Sequence, residues 1–112
     1  MAYDEDLADR LRELVYGGDD VVTEKKMFGG LAFLVNGNMA IAASREGGLL
    51  VRVDPATSDT LQRTTKATPM VMRGREMDGW VRVPADAVRT KRQLTAWVTR
   101  GAGYARSLPP KR

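Results

Sequence analysis

The segment from Leu31 to Ala43, LAFLVNGNMAIAA, constrains the fold more than any other part of the chain. Its Asn36-Gly37 pair is the preferred centre of a two-residue type I′ hairpin turn, in which both central residues need positive φ. That centre pairs Val35 with Asn38, Leu34 with Met39, Phe33 with Ala40 and Ala32 with Ile41. Strand alternation then puts Leu31, Phe33, Val35, Ala40 and Ala42 on one face and Ala32, Leu34, Met39, Ile41 and Ala43 on the other. Both faces are apolar. Such a hairpin belongs inside a sheet covered on both sides, by helices on one and by further helix, a long loop or a second subunit on the other. This requirement predicts a homodimer or a protein partner.

The flanking segments supply the remaining elements. Leu7, Leu11, Leu14 and Val15 share a helical face over residues 4–16, with acids in the first turn and Gly17-Gly18 as a stop. Val21 to Phe28 reads as an edge-like strand that sends Lys25 and Lys26 to opposite faces. The motif Met27-Phe28-Gly29-Gly30 leads into a strand instead of opening a helix, and no Lys-Ser/Thr follows it. The double glycine is therefore a bend or bulge and not a phosphate cradle.

Leu49, Val51 and Val53 mark another strand, and Asp54-Pro55 joins an N-cap residue to a proline at the first helical position. The Thr-rich helix that follows has Ala56 and Leu61 as anchors and is expected to be frayed or partly 3₁₀, with Pro69 limiting its extent. Two strands, Met70 to Arg73 and Trp80 to Val83, are joined by a charged, Gly-rich connection that ends at Gly79, with Arg73, Arg75 and Arg82 near Trp80. Trp80 reads as a core anchor. A final helix is expected to start after Pro84 and to bury Val88, Leu94, Trp97, Val98, Gly101, Tyr104, Ala105 and Leu108, with a kink or break at Gly101 or Gly103. Arg89, Lys91, Arg92, Arg100 and Arg106 form its exposed basic stripe, a solvated face or a set of phosphate contacts. The order of elements predicts a small α+β domain.

Composition narrows the chemistry. The 112 residues include no Cys and no His, which removes disulfides, thiolate nucleophiles, imidazole bases and the commonest zinc ligands. No enzymatic role, cofactor or metal is expected. The acidic start and the lack of any apolar run of about 18 residues predict a cytoplasmic protein without a membrane span. The net charge of +4 is unevenly placed. Residues 1–20 carry seven acids against Arg10 and Arg12, a net of −5, and residues 80–112 carry eight bases against Asp86, a net of +7. Such polarity suits an anionic partner or two ends that attract each other.

KKMFGGLAFLVNGNMA, LLVRVDP, GREMDGWVRVP and GYARSLPPKR together resemble the TfoX/Sxy N-terminal-domain family, over nearly the whole chain. The most specific residues are Met27, Phe28, Gly29 and Gly30, the strand from Leu49 to Val53, and Gly79 with Trp80. The resemblance implies a curved antiparallel sheet of five to six strands flanked by N-terminal, middle and C-terminal helices, similar in shape to secretion-chaperone-like folds. The length suits a single domain over residues 1–112, and the composition of the end predicts 109–112 as a short flexible basic tail. Two-domain members regulate natural competence together with a transcription factor; the resemblance here is to the N-terminal domain, a stand-alone single-domain member is expected, and the family offers no catalytic residues and no cofactor.

The leading expectation is a regulatory or protein-interaction module, a homodimer whose apolar surface and flanking arginines meet another protein. The alternative is a nucleic-acid-associated protein with Lys25, Lys26, Arg73, Arg75, Arg89, Arg92 and Arg100 on phosphates. The third is a small-molecule binder with a pocket between sheet and helix, lined by Trp80, Trp97 and methionines.

Overall fold

The computed structural model describes residues 3–16, 18, 20–27 and 29–111. Gly17 and Phe28, both singled out above, lie outside them. Among the described residues the chain forms α1 (Glu5–Val15), β1 (Val22–Met27), β2 (Gly30–Val35), β3 (Asn38–Ala43), β4 (Leu49–Arg52), α2 (Ser58–Thr64), β5 (Thr68–Met72), β6 (Arg75–Val83) and α3 (Lys91–Ser107), with 3₁₀ turns at Pro55–Thr57 and Ala85–Ala87. The strands make one antiparallel sheet in the order β1-β2-β3-β4-β6-β5. This is the α+β fold read from the sequence, although the sheet is not strongly curled.

Local chemistry sets the element ends. Asp4 caps α1, its carboxylate accepting from the backbone N–H groups of Asp6 and Leu7. Asp54 does the same for the Pro55 turn, accepting from Ala56. In the middle helix Leu61 and Ser58 are the buried residues, while Ala56, expected as an anchor, is exposed because it belongs to the 3₁₀ turn. The last helix begins later than Pro84 suggested. Thr90 caps it by accepting from the Gln93 N–H while the Gln93 side chain accepts from the Thr90 N–H, a complete capping box.

The hairpin turn at Asn36-Gly37 forms with both φ values positive, 53° and 85°, and the pairs nearest it are those expected. Beyond them the register departs. Leu34 faces Met39 but Phe33 faces Ile41, so Ala40 is an extra residue, a β-bulge. One inserted residue moves everything after it to the opposite face. Ile41 and Ala43 join Phe33 in the helix-side core, and Ala42 turns to the other side with Met39 and Ala32.

The bulge also explains Gly101. Instead of kinking, α3 runs unbroken through both glycines, and Gly101 lies against the bulged backbone, where a β-carbon would stand 2.6 Å from the Ala40 carbonyl oxygen. The second hairpin, β5–β6, turns at Arg73-Gly74 with φ values of 54° and 77°, so the strands extend well beyond the expected ones and the charged connection from Arg75 to Gly79 belongs to β6. Pro69 sits in β5, an edge strand where a missing N–H is tolerated.

The main core lies between the sheet and the helices. Leu7, Leu11 and Val15 of α1 and Leu94, Trp97 and Val98 of α3 pack on Phe33, Ile41, Val51, Val81 and Val83. Residues 109–111, expected as a tail, lie against the β2–β3 turn: the Lys111 N–H donates to the Asn36 carbonyl at 2.9 Å, and the Asn38 amide donates to the Pro109 carbonyl at 3.0 Å and the Ala105 carbonyl at 3.4 Å. Asn38 is only 2% exposed, so Asn38→Ala strands two carbonyls; chemical denaturation should register a loss of about 1–3 kcal/mol.

The charge asymmetry is met partly within the molecule. Arg106 of α3 makes a forked contact with Asp20, at 2.7 and 2.9 Å, and Arg12 of α1 forks onto Glu24 of β1, at 2.8 and 2.9 Å, with the Tyr16 hydroxyl donating to the same carboxylate. The Arg12 hydrogen bonds hold the Glu24 carboxyl below its ordinary value of 4.5. A depressed carboxyl stabilises the fold above the unfolded pKa and loses that contribution as pH falls through the folded one. Glu24→Gln should therefore lower stability modestly in the neutral region and converge on the parent chain as pH falls below about 4.5, which flattens the acid limb of the stability-versus-pH curve.

Candidate functional site

The two faces of the sheet differ in cover. No helix residue belongs to the apolar cluster on the far side, which consists of Ala32, Met39, Ala42, Leu50 and Met70, with Met27, Leu34, Met72 and Trp80 packed around it. Four of the chain's six methionines are here. The cluster floor is at most 7% exposed, so it is recessed behind its own rim. At one end the recess deepens to about 440 Å³, between Met27, Met39, Leu50 and Met70 and the polar side chains of Ser44, Arg45, Glu46 and Arg82. Methionine suits such a surface, because its unbranched, polarizable chain conforms to differently shaped contacts.

The rim is basic. Residues directly opposite in an antiparallel ladder share a face. Lys25 stands opposite Ala32, Arg75 opposite Met72 and Arg82 opposite Leu50, so all three belong to the open face, and Arg45 joins them from the β3–β4 loop. Arg82 contacts Glu46 at 2.9 Å and Ser44 Oγ at 3.3 Å. Among the described residues Lys25, Arg45 and Arg75 have no acidic partner within salt-bridge distance. Arg52, in register with Trp80, lies 5.5 Å from the Trp80 ring centroid and 5.6 Å from that of Tyr104.

The other basic residues singled out in the sequence are dispersed. Lys26 stands opposite Leu31 and so projects to the helix side, and Arg73 occupies the β5–β6 turn. Lys25 and Arg75 share a face but lie toward opposite edges, across four strand spacings of about 4.8 Å between β1 and β6. On α3 the bases do not make one stripe. Arg106 is taken up by Asp20, Arg100 lies 4.5 Å from the Trp97 ring, and Arg89 and Arg92 are exposed at the start of the helix. Arg89 lends its backbone carbonyl, at 3.1 Å, to the Arg10 guanidinium.

Gly29 and Gly30 lie at the β1–β2 connection, between two antiparallel strands, so no helix N-terminus points at them. Gly79, with φ of 82°, lies in the irregular middle of β6 and gives its carbonyl to the Val53 N–H at 2.8 Å. The two tryptophans occupy opposite sides of the sheet: Trp97 belongs to the helix-side core and Trp80 borders the open face, so the pocket needing both together does not form. A shallower groove of about 560 Å³ runs between α2 and α3 past Leu61, Arg100, Gly103 and Tyr104.

Sequence reasoning found the apolar second face but not Arg45, whose place beside the recess is set by the β3–β4 loop. The signal that was present is parity: Met70, Met72, Trp80 and Arg82 alternate with Val71, Val81 and Val83. No helix among the described residues is long and apolar enough to cross a membrane. Residues 13–105 match the family model of the TfoX N-terminal domain, while no curated protein and no solved structure matches the chain.

Proposed function

The chain belongs to the TfoX N-terminal domain family, and from that premise we propose that it is a non-enzymatic regulatory module that acts by binding another protein through the open face of its sheet. One observation carries this reading: an apolar, methionine-rich face with no helix upon it among the described residues, in a chain whose other face is covered by α1 and α3. Apolar surface left without a covering layer marks interaction sites, and here Met27, Leu34, Met72 and Trp80 keep part of their surface exposed. The absence of His and Cys from the sequence supports a role in binding over catalysis. A nucleic-acid role draws less support, because the basic residues that would contact phosphates are divided between two sheet edges and α3.

Site-specific photo-crosslinking in cells tests the reading. A photoreactive residue at Leu34 or Met72, on the open face, should form discrete protein adducts, and one at the exposed Thr95 of α3 should not. Equal labelling at all three positions, or adducts confined to Thr95, would move the contact surface away from the sheet.

A further inference from the structure

We infer that the partner segment seated on the open face is acidic and amphipathic, presenting apolar side chains to the methionine floor and carboxylates to the basic rim. The inference rests on the proposed function and names the chemistry of its partner. Its ground is charge complementarity. The floor is apolar and recessed, whereas the charged side chains that register and the recess lining set around it are Lys25, Arg45, Arg75 and Arg82, with Glu46 as the acid among them. Glu46 is already engaged by Arg82, so the rim presents uncompensated positive charge on at least two sides of the floor. Interfaces are arranged so that opposite potentials meet, and like charges brought together oppose wrong partners.

The same geometry disfavours the other occupants. A second copy stacked on this face would set basic rim against basic rim. A bilayer needs apolar side chains that protrude, and here Met39, Leu50 and Met70 are at most 7% exposed. Single-stranded nucleic acid stacks on aromatic platforms, and on this face only Trp80 is aromatic among the clustered residues. A protein segment with apolar anchors and flanking Asp or Glu satisfies both floor and rim.

The test is selection of a random peptide display library on the full chain, followed by titration of the enriched peptides. The expected result is net-acidic peptides with spaced Leu, Ile, Met or Phe, displaced from the chain carrying Arg45→Glu and Arg75→Glu by a loss of affinity of about tenfold or more. Both residues are exposed, and a second pair, Lys25→Glu with Arg75→Glu, repeats the measurement from the other edge with circular dichroism confirming the fold. Neutral or basic peptides that still compete at the open face would overturn the partner chemistry and leave the surface intact. Enriched peptides insensitive to every open-face substitution, or no enrichment at all, would overturn the surface assignment itself. Binding to anionic phospholipid vesicles or to single-stranded DNA that Arg75→Glu abolishes would replace the acidic segment with a lipid or nucleic-acid partner. A dimer mass in light scattering that Leu34→Glu dissociates would assign the face to a second copy.

Discussion

Phe33→Ala is expected to lower the unfolding free energy by about 3–5 kcal/mol, a large part of the roughly 5–15 kcal/mol typical of a folded domain. Phe33 is wholly inaccessible, on a central strand, facing Ile41 across the β2–β3 ladder and covered by the helices. The loss combines transfer of the ring with the cavity it leaves, and that cavity is bounded by strand backbone fixed in ladders on both sides, which limits collapse. Leu34→Ala, one residue along and on the open face, should cost markedly less, since Leu34 is only partly buried and has no helix over it. Urea denaturation of the two variants compares the faces directly. Equal losses would mean that the open face is as much a part of the folded core as the helix side.

Gly101→Ala and Gly103→Ala should change stability in opposite directions. In an open helical position, replacing Gly by Ala stabilises by about 0.5–1 kcal/mol. Gly103 is such a position, with no atom within 4 Å of an added β-carbon. At Gly101 that carbon meets the Ala40 carbonyl oxygen at 2.6 Å and Val51 at 3.2 Å, so α3 or the bulge must shift. Overpacking of this kind costs about 1–3 kcal/mol, which reverses the propensity gain. The obstacle is backbone, so rotamer changes cannot relieve it. Thermal melts of the pair check the assignment of Gly101 as a packing contact.

Those two glycines also show what the sequence made legible and what it did not. Capping and turn chemistry is local, so Asp54-Pro55 and Asn36-Gly37 could be placed from their neighbours alone. Gly101 looked like a helix breaker because the reason for it, the bulged carbonyl of Ala40, is distant in sequence. The bulge itself left no signal in LAFLVNGNMAIAA, where every residue from Met39 to Ala43 is apolar and either parity is acceptable. Arg73-Gly74 was missed as a turn because Arg is rarely found at positive φ. Thr90 and Gln93 carried a readable capping box, but Pro84 offered the earlier start and its residues instead formed a 3₁₀ turn.

The candidate site was legible in the same uneven way. Two apolar faces on one hairpin implied a surface beyond the helix-side core, and the structure has one. Its basic border depends on strand register across β6, β4 and β5, which brings Arg82, Leu50, Arg75 and Met72 to one side. The stripe imagined on α3 was a helical-wheel inference. In the fold, Arg106 turns to Asp20 and Arg100 to Trp97, so these charges serve contacts within the chain.

The central claim is that the open methionine face is where this protein meets its partner. Isotope-labelled methionine methyl groups report on it most directly, because Met27, Met39, Met70 and Met72 belong to that face while Met77 lies outside the cluster and serves as an internal reference. Methyl spectra of the protein inside cells, compared with the purified chain, should show the four open-face resonances broadened or shifted and that of Met77 little changed. Unchanged open-face methyls alongside a perturbed Met77 would contradict the claim and place the contact elsewhere on the molecule.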